Sequence, residues 1–131
     1  MENKVCLDSD FLIDFLRNKE KAVNWIKKNP DLELATTIIT AFELYHGEYK
    51  NKEKSNVQRL DNLLQTITLL NLNEVIAKKA GQITAQLQHE GLIVEFRDVL
   101  IATTAIINNY SLKTENKKHF ERMVQFGLKL I

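Results

Sequence analysis

One cysteine, one proline and four glycines in 131 residues leave this chain with little punctuation. A lone Cys6 forms no intrachain disulfide, and no second Cys or paired His stands near it to activate it as a nucleophile. It lies in an apolar stretch, where a thiol reads as a small buried hydrophobe. With so little Gly and Pro there is no obvious linker, and no repeat or low-complexity tract interrupts the chain, so one domain over residues 1–131 is expected. No apolar run approaches the ~18–20 residues that span a bilayer. The opening MENKV lacks the pattern of a secretory signal, and the expectation is a cytoplasmic protein with no membrane role. Charge of one sign is also missing. A net charge of +1 carries no bulk signal for nucleic acid, although a local basic patch remains compatible with it. What is present is 44% hydrophobic and 27% charged residues, the composition of a globular chain, and its length can bury a full core.

The stretch Val5 to Asp10 organises the rest. Lys4-Val5-Cys6-Leu7 reads as a buried strand that ends in Asp8. Phe11, Leu12, Phe15 and Leu16 then recur at helical spacing from Ser9 to Arg17, with Ser9 or Asp10 as the cap. A second helix over Glu20 to Lys28 is stopped by Asn29-Pro30. Glu33 to Ile39 reads as a strand, and Thr40 as the cap of the helix that contains Ala41-Phe42-Glu43-Leu44-Tyr45. After a charged break at Asn51 to Lys54, a helix over Val57 to Leu64 presents Leu60, Leu63 and Leu64, a stripe for the core or for a dimer. Thr66 to Leu70 is a third strand. Asn73 caps a long helix whose stripe is Ile76, Ala80, Ile83 and Leu87, and Gly91 ends it. Asp98 to Ile107 is apolar nearly all round and should lie between layers. Tyr110 to Lys113 reads as a strand, Lys117 to Val124 as a helix and Leu128 to Ile131 as a closing strand. Strands separated by helices predict an α/β fold, with a mainly parallel central sheet and helices on both faces.

Three carboxylates are at odds with their surroundings. Asp8 ends an apolar strand, Glu43 interrupts an apolar run, and Asp98 opens the most apolar helix. A buried charge is costly unless it is paired or binds a metal. Each has a plainer reading: Asp8 as a helix cap, Glu43 on an exposed helix face, Asp98 as a complement to the helix dipole or a partner of Arg97. Their shared placement says more. All three fall where a parallel α/β sheet puts its ligand-binding edge, and Thr114-Glu115-Asn116 reaches the same edge after the fourth strand. Asn116 is equally a good helix N-cap. Carboxylates without thiolates or paired His favour a hard cation, Mg²⁺ or Mn²⁺ over Zn²⁺, and such a site suits phosphodiester cleavage.

Four pieces, in this order, resemble the PIN-domain ribonucleases, and most closely the VapC toxins of toxin–antitoxin pairs. They are LDSDFLIDFLR, TAFELYHG, GLIVEFRDVLIATTA and KTENKKHF. The resemblance spans the chain and implies a PIN-like three-layer sandwich. It implies Asp8, Glu43 and Asp98 as metal-binding acids. Asn116 stands where many members carry a fourth acid, and its neutral amide offsets less cation charge. Ser9 and Thr114 match small hydroxyl positions that line the site. Asp10 stands where Asn is more usual, as a further ligand or a cap, and Glu95 is close enough in sequence to reach the site. The resemblance also implies a Mg²⁺-dependent endoribonuclease with Mn²⁺ able to substitute, an RNA substrate, a homodimer and a cognate antitoxin.

Other features fit less. Glu43-x-x-His46 is half of a di-iron motif without its second half. His89 and His119 read as surface or packing residues. Asp14 either extends the acidic site or pairs with Arg17. Lys50 to Lys54 and Lys117-Lys118 are either solvated or meet RNA phosphates. Three other functions stay open at this point. One is a housekeeping RNA-processing nuclease of the same family. Another is a haloacid dehalogenase-like phosphatase with Asp8 as nucleophile and Asp10 as general acid. The last is a non-catalytic RNA- or protein-binding module.

Overall fold

The computed structural model describes residues 3–53 and 55–131. Lys54, the end of the expected charged break, lies outside the described residues. In chain order the elements are β1 (Lys4–Leu7), α1 (Ser9–Leu16), α2 (Glu20–Lys28), β2 (Glu33–Thr37), α3 (Ile38–Lys50), α4 (Val57–Gln65), β3 (Thr68–Leu70), α5 (Glu74–His89), α6 (Phe96–Ile107), β4 (Ser111–Lys113) and α7 (Lys117–Phe120). A 3₁₀ turn over Glu121–Phe126 follows.

Among the described residues the sheet has four strands in the order β3-β2-β1-β4, and every pairing is parallel. Its two faces are covered by different helices, which makes three layers. The period-2 alternation of a strand explains how four residues serve both faces. Cys6 points into one cluster with Ile83, Leu87, Val99, Leu112 and Phe120. Val5 and Leu7 point into the other, with Phe11, Leu12, Leu44 and Leu60. Between β1 and β4 the chain order reverses direction across the sheet. That switch point opens a crevice at the carboxyl ends of the strands.

Helix α5 shows how the sequence writes its own boundaries. Asn73 accepts a hydrogen bond from the Ile76 N–H at 2.9 Å, and Ile76, Ala80, Ile83 and Leu87 are its buried stripe. Gly91 takes φ +77°, a left-handed turn that any side chain would strain. It lets Leu92 N–H close back on the Leu87 carbonyl at 2.9 Å.

Several boundaries differ from the sequence reading, each for a local reason. Strand β2 ends at Thr37, not Ile39, because Thr37 is the N-cap of α3 in place of Thr40; its Oγ1 accepts from the Thr40 N–H at 3.0 Å. Strand β3 begins at Thr68, not Thr66, because Thr66 closes α4 by donating to the Leu63 carbonyl. The helix expected over Lys117 to Val124 is one α turn that tightens to 3₁₀. The expected closing strand is reduced to an isolated parallel bridge between Leu112 and Leu130. Leu60 and Leu64 are buried in the core, so their stripe is spent on folding rather than on a dimer. Arg17 and Asp14 form no ion pair; Asp14 instead lines a small hollow with Lys21 and Lys113.

Candidate metal centre

Asp8 leaves β1 at the crevice and is itself the N-cap of α1, the role expected of Ser9 or Asp10. Its Oδ1 accepts from the Ser9 N–H at 2.8 Å. Its Oδ2 accepts from the Thr114 hydroxyl at 2.8 Å, and that hydroxyl in turn accepts from the Asn116 N–H at 3.0 Å. Thr114, fully buried at the end of β4, thus ties the two strands together where the sheet switches direction. Asp8 is only 5% exposed, and burial pushes its carboxyl above the ordinary carboxylate range. The Thr114 and Ser9 hydrogen bonds and the Arg97 charge pull the other way, while the Asp98 charge adds to the upward push.

Asp98 sits in the first turn of α6, buried, and its carboxyl is also raised, chiefly by desolvation. Arg97 and His119 offset that rise, and Glu95 adds to it. Asp98 makes no ion pair with Arg97, one of the partners the sequence offered; the imidazole of His119 is the neighbour, with Nδ1 3.7 Å from Oδ2. His119 is exposed, in line with a surface residue, and α7 also brings its imidazole beside Asp98.

Glu43, on the first turns of α3, is paired with the Arg97 guanidinium. Its Oε1 is buried with no hydrogen-bond partner. Arg97 also reaches Glu95 at 2.9 Å. Arg97 is the residue that sequence reasoning passed over as a site residue. The signal was available, since a cation in the first turn of a helix opposes the helix dipole unless acids surround it. Glu95 reaches the rim only through Arg97. Asp10 closes the loop after β4: its Oδ2 accepts from the Glu115 N–H and its Oδ1 from the Phe11 N–H. With both oxygens held, it is poorly placed for the general-acid role of a phosphatase. Asn116 lies exposed at the start of α7, and its side chain makes no capping bond. Ser9 lines a cavity of about 420 Å³ that runs from Glu43 between α1, α3 and α4. His46, half of the di-iron motif, stacks on Phe42 instead.

The donors present suit a hard divalent cation. They are carboxylate oxygens, two of them buried and raised, and one buried carboxylate oxygen has no partner. Among the described residues no three His, Cys, Asp or Glu side chains form a ready-made cage. Two buried acids, Asp8 and Asp98, lie within reach of the Arg97 charge, and Glu43 is paired with the same Arg97.

Thr114→Val keeps the shape of the side chain and removes its hydroxyl. Asp8 then loses a bond that favours its charged form, so its carboxyl rises further. Stability at neutral pH should fall by about 1–3 kcal/mol, the cost of a buried acceptor left unpaired. The loss should shrink as Asp8 protonates in acid, which urea melts at pH 7.5 and pH 4.5 would measure.

Comparison with known proteins agrees with this geometry. The PIN-domain family model matches residues 5–124. Ribonuclease VapC1 of Methanocaldococcus jannaschii is 35% identical over 98% of this chain and 88% of its own length. Ribonuclease VapC10 of Mycobacterium tuberculosis is 31% identical over 92% of this chain and 89% of its own. The crystal structure of VapBC2 from Rickettsia felis, bound to a DNA fragment from its promoter, superposes with a TM-score of 0.86. Its matched chain is 25% identical, with 98% of this chain and 97% of that one covered. On sequence and fold, this chain belongs to the PIN-domain family, in its VapC branch.

Proposed function

We propose that this protein is a metal-dependent endoribonuclease and the toxin of a VapBC-type pair. The reading rests on Asp8 and Asp98, both buried, with the Asp98 charge felt at Asp8, and on the buried Glu43 oxygen that has no hydrogen-bond partner. Asp8, Asp98 and Glu43 would hold Mg²⁺, with Mn²⁺ able to replace it. The bound ion supplies Lewis-acid charge at a phosphoryl oxygen and makes a water acidic enough to attack. Thr114 keeps Asp8 oriented and partly relieved of its desolvation. Ser9 and Asn116 line the rim, and Asn116 contributes polarity without the charge of a fourth acid. Lys117 and Lys118, exposed at the start of α7, are placed to meet RNA phosphates.

The partners follow from the relatives and from the surface. The R. felis structure is of a VapBC complex, and a cognate antitoxin is proposed here. A segment lying in the cavity beside Ser9 and Glu43 would cover the acids; its walls include Leu16, Leu44 and Leu60. Phe42 and Phe96 are 68% and 74% exposed, which supports a homodimer formed beside the site. No helix of the described residues is long and apolar enough to cross a membrane, and action in the cytoplasm is proposed.

The test is cleavage of labelled single-stranded and structured RNAs with Mg²⁺, with Mn²⁺ and with EDTA. Cleavage that requires metal, and that stops when the protein of a small adjacent upstream gene is added, is the expected result. Cleavage unaffected by EDTA would overturn the metal reading.

A further inference from the structure

Arg97 stands in an unusual place. It lies beside Asp98 in the first turn of α6, where the helix dipole disfavours a cation. Its guanidinium bridges two acids from different parts of the chain, Glu43 of α3 and Glu95 at the N-cap of α6. Its charge is also felt at Asp8 and Asp98. One side chain thus offsets all four acids around the crevice. The pairing leaves both the second oxygen of Glu43 and the Arg97 Nε buried without a hydrogen bond, so the two charges offset each other while neither group is satisfied. The Arg97 side chain is 42% exposed, against 19% for Glu43. It is therefore the more solvated partner of the pair, with room to withdraw toward the rim.

We propose that Arg97 is an internal cation that competes with the divalent metal for Glu43, pairing with it in the metal-free protein and yielding it when metal binds. This deepens the metal reading above and rests on it. The exchange balances charge. Metal-free, four acids face each other across the crevice and one guanidinium limits their repulsion. When a dication enters, Glu43 turns its oxygens to it, and the guanidinium stays on Glu95 at the rim. Arg97 then acts as a positioning residue that sets how much metal the protein needs.

Titration of Mn²⁺ into apo protein, followed by calorimetry or by the Mn²⁺ electron paramagnetic resonance signal, reads this directly and needs no RNA. Arg97→Gln should bind Mn²⁺ about 5- to 10-fold more tightly than the parent, the scale of one half-exposed ion pair together with one unit of nearby charge. Lys117→Gln removes the same charge from the neighbouring helix start without a bond to Glu43, and should change affinity less than twofold. Thermal unfolding gives a second reading: Mn²⁺ should raise the melting temperature more in Arg97→Gln than in the parent. Equal or weaker Mn²⁺ binding in Arg97→Gln would show that Arg97 holds the site together and would overturn the proposal while leaving the metal reading intact. An equal gain in Lys117→Gln would reduce the effect to bulk charge and overturn it too. Absence of Mn²⁺ binding in both parent and variant would overturn the metal reading itself, and this proposal with it.

Discussion

Asp98→Asn should reduce RNA cleavage by on the order of 10³-fold, the upper range for removing one charge-stabilising group from an active site, and yet make the metal-free protein more stable at neutral pH. The two effects have one cause. Asp98 is 8% exposed, and burial raises its carboxyl above the ordinary range. A folded-state pKa above the unfolded one means that the folded protein holds the proton more tightly. The stability so gained is present in acid and is lost as pH rises through the raised pKa. As pH rises through that raised pKa, the folded chain comes to carry a carboxylate whose desolvation Arg97 and His119 only partly offset. An amide of the same shape removes that cost, worth about 1 kcal/mol and roughly 4 °C in melting temperature for a domain of this size. The gain should shrink as pH falls toward the unfolded Asp value of about 3.9, because Asp98 takes up its proton first in the folded state. Cleavage assays beside calorimetric melts at pH 4 and pH 7.5 make the comparison. Cleavage at the parent rate would remove Asp98 from the site. A lower melting temperature at pH 7.5 would mean that its cation neighbours more than compensate its burial.

Phe120→Ala has the largest expected effect on stability. Phe120 is 1% exposed and packs in the cluster with Leu112, Val99 and Met123. Truncating a buried Phe costs about 3–5 kcal/mol, the lost transfer energy plus the cavity left behind. That is a large share of the ~5–15 kcal/mol by which a domain is stable. The damage also has an address. Phe120 anchors α7, a single turn of four residues that cannot hold itself together. The same turn carries His119 toward Asp98 and begins at Asn116. A milder change, Phe120→Leu, should keep most of the stability and so allow the site to be read separately. Its cleavage rate should fall even where its stability is largely kept, because a slightly displaced turn moves Asn116, Lys117 and Lys118 while the sheet edge stays in place. Denaturant melts and single-turnover cleavage of the two variants would test this. A Phe120→Ala protein that unfolds at the parent's urea midpoint would show that the turn is not anchored through this ring.

Much of the architecture could be read from periodicity. Helices α2 and α5 and strand β1 fall where apolar spacing put them, because each buries a face whose pattern is local. The parallel sheet followed from strands separated by helices, and that topology leaves Asp8 at the carboxyl end of β1, where the Asp98 charge is felt. The errors lie where competing local bonds decide. Thr37 and Thr40 are both credible caps, and the choice between them depended on how far β2 could pair with β3. The last segment had the apolar residues of a strand, but it meets the sheet at a single bridge, where Leu112 bonds to the Lys129 carbonyl and the Ile131 N–H on either side of Leu130.

The site divides the same way. The residue types and their order along the chain determined that acids would gather at the carboxyl ends of the strands, because handed, parallel connections leave them no other edge. Which groups touch there was decided only by tertiary packing. Asp8 and Thr114 are 106 residues apart and meet because β1 pairs with β4. Arg97 pairs with Glu43 and Glu95 instead of Asp98, and His119 turns toward Asp98, because α3, α6 and α7 converge on one crevice. Charge pairing depends on distance in space, and sequence spacing reports that distance only within a helix or a strand. Between elements the packing of the core sets it, and no local pattern encodes it.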